Sequence, residues 1–147
     1  MRLLRDGLPV IGAIIAGGKE RINGMYVIYS NNASRYVCTT REELDNLLQK
    51  GTGGFARVRV TSAVFNKDTG AVTFSAMVTE ADCHGAKPEA GLTVFTGSIL
   101  TYMKSDSAAD DVLVAASNFV GKSGDPVGIP FQSGVYVVVN ASLRFGA

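Results

Sequence analysis

The chain has 147 residues and a formal net charge of +1, which leaves no field to attract nucleic acid or an anionic membrane. Hydrophobic residues make up 46% and charged residues only 18%, below the usual quarter, so part of the surface is expected to be covered by partners. With Gly 17 against Pro 4 the composition indicates tight turns rather than disorder, and the length suits one domain with a proper core.

The opening MRLLRDGLPVIGAIIAGGKE places Arg2 and Arg5 before an apolar run, as a signal peptide does. Asp6, Gly7 and Pro9 interrupt that run, which falls far short of the ~20 residues of a membrane span, so no targeting segment is read. Asp6-Gly7 between two apolar arms is a hairpin signal. Pro9 restricts the second arm to an edge or an unpaired path. Residues 1–18 are therefore expected to form an arm or hairpin, laid on a neighbour rather than on the chain's own core. Its contact residues would be Leu8, Val10, Ile11, Ile14 and Ile15. Residues 19–147 are read as a single domain.

MYVIYS, apolar on both faces, suits a central strand. After the turn at Asn31-Asn32, RYVC (35–38) reads as a short strand. TTREELDNLLQKG is the one expected helix. Thr40 and Glu43 form a capping box, Leu44, Leu47 and Leu48 fall on one face, and Gly51 closes the end. From Phe55 the period changes to two. In FARVRV, Ala56, Val58 and Val60 point one way and Arg57 and Arg59 the other. NKDTG (66–70) is a hairpin loop, and its partner strand buries Val72, Phe74, Ala76 and Val78 against Thr73, Ser75 and Thr79. GLTVFTGSILTYM changes phase near Gly97, which implies a bulge or two shorter strands. DVLVAASNFV is a further strand. In GVYVVVNASLRF, Val135, Val137, Val139, Ala141, Leu143 and Phe145 share one side. Short strands, glycine turns and one helix describe a mainly β protein, an antiparallel, jelly-roll-like β-sandwich.

Several stretches carry the letters of chemistry. Ala116 to Ser123 spells A-x-x-x-x-G-K-S, but Gly124, Asp125, Pro126 and Gly128 follow Lys122 and Ser123. No phosphate-facing helix can start there, and a turn between strands is expected. His84 sits beside Cys83 and Asp82, with Glu80 nearby. Neighbours in a turn point apart, so a solvated loop outweighs a nucleophile or metal site. Asp106, Asp110 and Asp111 form an acidic loop that lacks the spacing of a calcium site. Arg41, Arg57 and Arg59 lack the interleaved aromatics of a single-strand binder, so a polar outer face is expected. Cys38 and Cys83 read as small buried hydrophobes, although a bridge between them stays open. Asn32 and Asn140 begin Asn-Ala-Ser triplets, a glycosylation pattern common by chance. Tyr26, Tyr29, Tyr36, Tyr102 and Tyr136 read as core or interface, and there is no Trp for sugar stacking. No catalytic, cofactor or metal residue is therefore expected, and no small-molecule substrate.

RDGLPV at the start, INGMYVIYSNN entering the body, GFARVRV, and the closing GVYVVVNASLRF together resemble small virion proteins of tailed bacteriophages. The resemblance is one of layout and transfers no functional residues. It implies a non-enzymatic protein of the virion that cements or decorates the capsid, or joins tail and fibre. Such a protein would act through contacts with itself, as a homo-oligomer, and with other virion proteins. The alternative reading is a carbohydrate- or receptor-binding β-sandwich module.

Overall fold

The computed structural model describes residues 1–31 and 38–144. Its elements in chain order are β1 (Arg2–Leu3), α1 (Leu8–Ile15), β2 (Gly24–Ser30), α2 (Arg41–Lys50), β3 (Gly53–Arg59), β4 (Ser62–Asn66), β5 (Ala71–Val78), β6 (Cys83–Gly85), β7 (Val94–Tyr102), β8 (Val112–Asn118), β9 (Ile129–Pro130) and β10 (Val137–Arg144). The strands form two antiparallel sheets. The larger runs β1-β8-β7-β2-β3-β6, with β9 extending the β8 lane along β7; the smaller runs β10-β5-β4. The protein is a mainly β sandwich of unequal sheets.

β2 lies at the centre, and all seven of its residues are buried. Met25, Val27 and Tyr29 face the smaller sheet, where Phe74, Ala76, Val78, Val139, Ala141 and Leu143 complete the interior. Tyr26 and Ile28 face the other way, into a second apolar layer with Phe55, Ile99, Leu44 and Leu47. The large sheet is thus covered twice, by the small sheet on one face and by α2 on the other.

Local sequence explains α2. The Thr40 hydroxyl accepts a hydrogen bond from the Glu43 N–H, and Glu43 reaches back to the Thr39 and Thr40 hydroxyls. Gly51 ends the helix at φ 70°, a left-handed conformation that side chains disfavour. Leu44 and Leu47 are buried and Leu48 partly so. The Asn66–Gly70 loop also forms as expected, with Asn66 Oδ1 accepting from the Asp68 and Thr69 amides. The phase change before Gly97 is a bulge: Ile28 pairs Gly97 while Tyr29 pairs Phe95, with Thr96 as the extra residue between them. Of the expected strand at 35–38, residues 35–37 lie outside the described ones, as do Asn32, Tyr36 and Phe145, while Cys38 is described, buried and not in a strand.

The first eighteen residues differ from expectation. Asp6-Gly7 closes a 3₁₀ turn (Arg5–Gly7) rather than a hairpin, and Leu8–Ile15 is a second helix. Pro9 stands in its first turn, where a missing N–H costs nothing. Nor is this segment laid away from the body. β1 pairs with β8, Leu4 donates its N–H to Val114 O at 2.8 Å, and Leu4 and Val10 are buried. A Cβ on Gly7 would lie 2.4 Å from the Val114 backbone, so this close approach requires glycine.

Leu47→Asp would set a charge in the apolar layer beneath α2, and is expected to cost on the order of 4 kcal/mol or more. Thr40→Ala removes only the cap, about 1 kcal/mol. Urea denaturation followed by circular dichroism measures both. A Leu47→Asp protein as stable as the parent would mean that α2 does not cover the sheet.

Candidate functional site

A buried polar cluster lies where β8 begins. Asp111 is buried, and the guanidinium of Arg57 grips it with both arms: Nε to Oδ2 at 2.7 Å and Nη2 to Oδ1 at 2.8 Å. The Tyr26 hydroxyl donates to Asp111 Oδ2. Arg41, first residue of α2, donates from Nη1 to the Tyr26 oxygen at 3.3 Å and from Nη2 to the Asp111 carbonyl at 3.0 Å. Its guanidinium carbon stands 5.8 Å from the centre of the Tyr26 ring, which itself stacks on Phe55 at 4.7 Å. The fold assembles this cluster by register, since Tyr26 is the cross-strand partner of Arg57. The Arg57 guanidinium is held charged more firmly than usual, chiefly by its hydrogen bond to Asp111, and burial raises the Tyr26 phenol.

The cluster forms part of the wall of a cleft of about 810 Å³, within the range of small-ligand sites. Leu4, Pro9, Val10 and Leu113 give it an apolar floor. Arg5, Asp6, Glu20, Thr39, Thr40, Arg41, Tyr102 and Lys104 give it polar walls.

These contacts separate the three arginines expected on one polar face. Only Arg59 behaves so, pairing with the exposed Asp106 at 3.2 Å. Arg57 and Arg41 turn inward to Asp111, which is not a member of a solvated loop. Asp110 stays at the surface and accepts from Ser105 Oγ. The Gly121-Lys122 stretch forms a tight hairpin. Gly121 N–H bonds Asp125 O, Gly124 N–H bonds Gly121 O, and the next regular element is the short strand β9. Lys122 is exposed.

Cys83 and His84 lie on β6, where successive side chains point to opposite faces. His84 stacks obliquely near Phe55, and Cys83 donates weakly to Thr79 O. Burial, then Asp82 and Glu80, push the Cys83 thiol up to about 11, which keeps it from acting as a thiolate nucleophile near neutrality. Cys38 is buried, and both cysteines are free thiols. Among the described residues, no group of three His, Cys, Asp or Glu could hold a metal ion. Nor is any helix there long and apolar enough to cross a membrane.

The residues expected to make contacts divide. Val10 is 5% exposed and belongs to the chain's own core, and Ile11 is half-buried. Leu8 (55%), Ile14 (38%) and Ile15 (79%) remain exposed. Ile11, Ile14 and Ile15 line an apolar groove of about 360 Å³ with Ile22, Val72, Phe74 and Leu143 at the open end of the sandwich. Beside it runs β4, exposed at every residue, where Phe65 pairs with Val72. Sequence reasoning missed this strand, because SAVFN has no alternation to mark a covered face. Among the tyrosines, Tyr26 and Tyr29 are buried, Tyr102 is half-buried and Tyr136 is exposed.

No protein-family pattern, curated protein or solved structure matches this chain.

Removing Asp111 leaves the Arg57 guanidinium and the Tyr26 hydroxyl without their partner. Asp111→Ala is expected to destabilise the domain by about 3 kcal/mol or more, whereas Asp106→Ala leaves the melting temperature unchanged. Equal small effects in calorimetry would mean that the Asp111 cluster is not the structural joint described. A pH effect follows from the thiols. Burial, followed by nearby carboxylates, raises Cys38 and Cys83 from an ordinary 9.0 to about 11. Their contribution is fully present below pH 9 and is lost as pH rises towards 11, because the unfolded chain ionises first. Melting temperatures measured from pH 8 to 11 should fall over that window, and less steeply in a Cys38→Ala variant.

Proposed function

We propose that this chain is a non-enzymatic assembly protein that works through protein contacts with copies of itself and with a larger particle. Its sequence layout suggests the virion of a tailed bacteriophage. The observation that carries the reading is the bare β4 edge. A five-residue, uncharged, fully exposed strand is what soluble monomers avoid, since its free backbone groups invite another strand. The edges of the large sheet, by contrast, are strands of two and three residues.

A second copy fits this edge. Antiparallel pairing about Val64 sets Ser62 opposite Asn66 and the small Ala63 opposite the large Phe65, with no charge opposed to like charge. Two three-stranded sheets would then become one of six strands across a twofold axis. Five paired residues alone fall short of the roughly 800 Å² per partner that a stable interface buries. Phe65, Ile15 and the apolar groove beside them supply further surface of the right kind.

Sedimentation velocity tests this. The parent is expected to self-associate, and Phe65→Lys to run as a folded monomer with an unchanged circular dichroism spectrum. Ile15→Asp should weaken association and keep the fold, whereas Val10→Asp should unfold the domain. A strictly monomeric parent that also fails to bind phage particles would overturn the reading. The cleft favours a second reading, a carbohydrate- or receptor-binding module, for which a glycan array is the direct test.

A further inference from the structure

We infer that the cleft between α2 and the N-terminal turn binds a ligand through a single carboxylate, with Arg41 as the residue that holds it. The inference is independent of assembly through β4, and it does not require the ligand to be a sugar.

Arg57 and Asp111 neutralise one another through a two-armed contact, with the Asp111 side chain fully buried and that of Arg57 16% exposed. Arg41 is the second guanidinium of the same cluster, but its acceptors are the Tyr26 hydroxyl and the Asp111 carbonyl, neither of them an anion. Among the described residues it has no carboxylate within ion-pair distance. Among the described residues this half-buried cation is thus without a counter-ion.

It is also held still. Two hydrogen bonds and the Tyr26 ring fix the guanidinium, so binding an anion costs little side-chain entropy. The two bonds occupy only part of a five-donor fork whose geometry matches a carboxylate. Arg41 borders the open cleft, whereas Arg57 does not.

The surroundings choose the valence. Arg5 and Lys104 add two cations to the cleft, and Asp6 and Glu20 add two carboxylates. With Asp111 matched by Arg57, the excess is one positive charge, carried in effect by Arg41. A monoanion satisfies it, whereas a phosphate dianion would also meet repulsion from Asp6 and Glu20. Tyr102, Thr39 and Thr40 add hydroxyls, and Leu4, Val10 and Leu113 an apolar floor, for the remainder of the ligand.

The test is an NMR titration of the full ¹⁵N-labelled chain with sodium glucuronate and with N-acetylglycine. Glucose, N-acetylglycinamide and inorganic phosphate serve as controls. Shifts are expected at the amides of Thr39 to Glu42 and of Asp111 to Leu113. Both carboxylates producing them supports the inference, and one alone supports it and identifies the source. It is overturned if neither acts, if the neutral counterparts act equally, or if phosphate binds more tightly than both. Arg41→Gln is expected to weaken binding at least tenfold, and undiminished affinity in the folded variant would overturn the assignment. Lys104→Gln, at an exposed residue outside the buried cluster, should weaken binding about threefold with no change in melting temperature. If Arg41→Gln does not fold, Lys104→Gln decides: unchanged affinity there overturns the inference.

Discussion

All seven residues of β2 are buried, so the sheet needs an apolar layer against each of its faces. A strand apolar on both faces cannot stop at a two-layer sheet; it needs a cover on each side. The small sheet supplies one cover and the leucines of α2 the other. Removing such side chains from water contributes roughly 25 cal/mol per Å² of apolar surface. The same double cover buries Tyr26, and its hydroxyl then requires a partner inside. Asp111 is that partner, and its charge in turn requires Arg57. The polar cluster is a consequence of the apolar layering, and the excess charge at Arg41 is a consequence of the cluster.

The second consequence is geometric. Three strands cannot roof a sheet of seven, so part of the interior opens at one end, and α1 lies against that opening. It faces two ways: Pro9 and Val10 border the polar cleft, while Ile11, Ile14 and Ile15 border the apolar groove. Beside the groove, β4 lies at the margin of the small sheet with every residue exposed. The cleft and the proposed assembly surface therefore share one short helix.

Much of this was legible in the sequence, and physical reasons separate what was from what was not. α2 carries its own signals, a capping box at Thr40 and Glu43 and a left-handed Gly51, which act within a turn of the backbone. β5 and β10 alternate because one of their faces is wet. β2 reads as central because both are dry. α1 was missed because Asp6-Gly7 is a strong local turn signal and Gly12 is a poor helix residue. What decides its conformation is tertiary: Val10 enters the core, and Gly7 passes against Val114. Pro9 in a first turn was the available clue. The Asp111 cluster left no local trace, since its members are drawn from positions 26, 41, 57 and 111 by sheet register and helix placement. No window of sequence contains two of its side chains in contact.

Whether copies assemble through the bare edge beside α1 is read most directly by amide hydrogen exchange at several protein concentrations. If copies pair there, the amides of Ser62 to Asn66 and of Ile14 and Ile15 gain protection as concentration rises, while those of β2 stay uniformly slow. Exchange at β4 that is fast and independent of concentration, in a chain that nonetheless self-associates, would place the interface elsewhere.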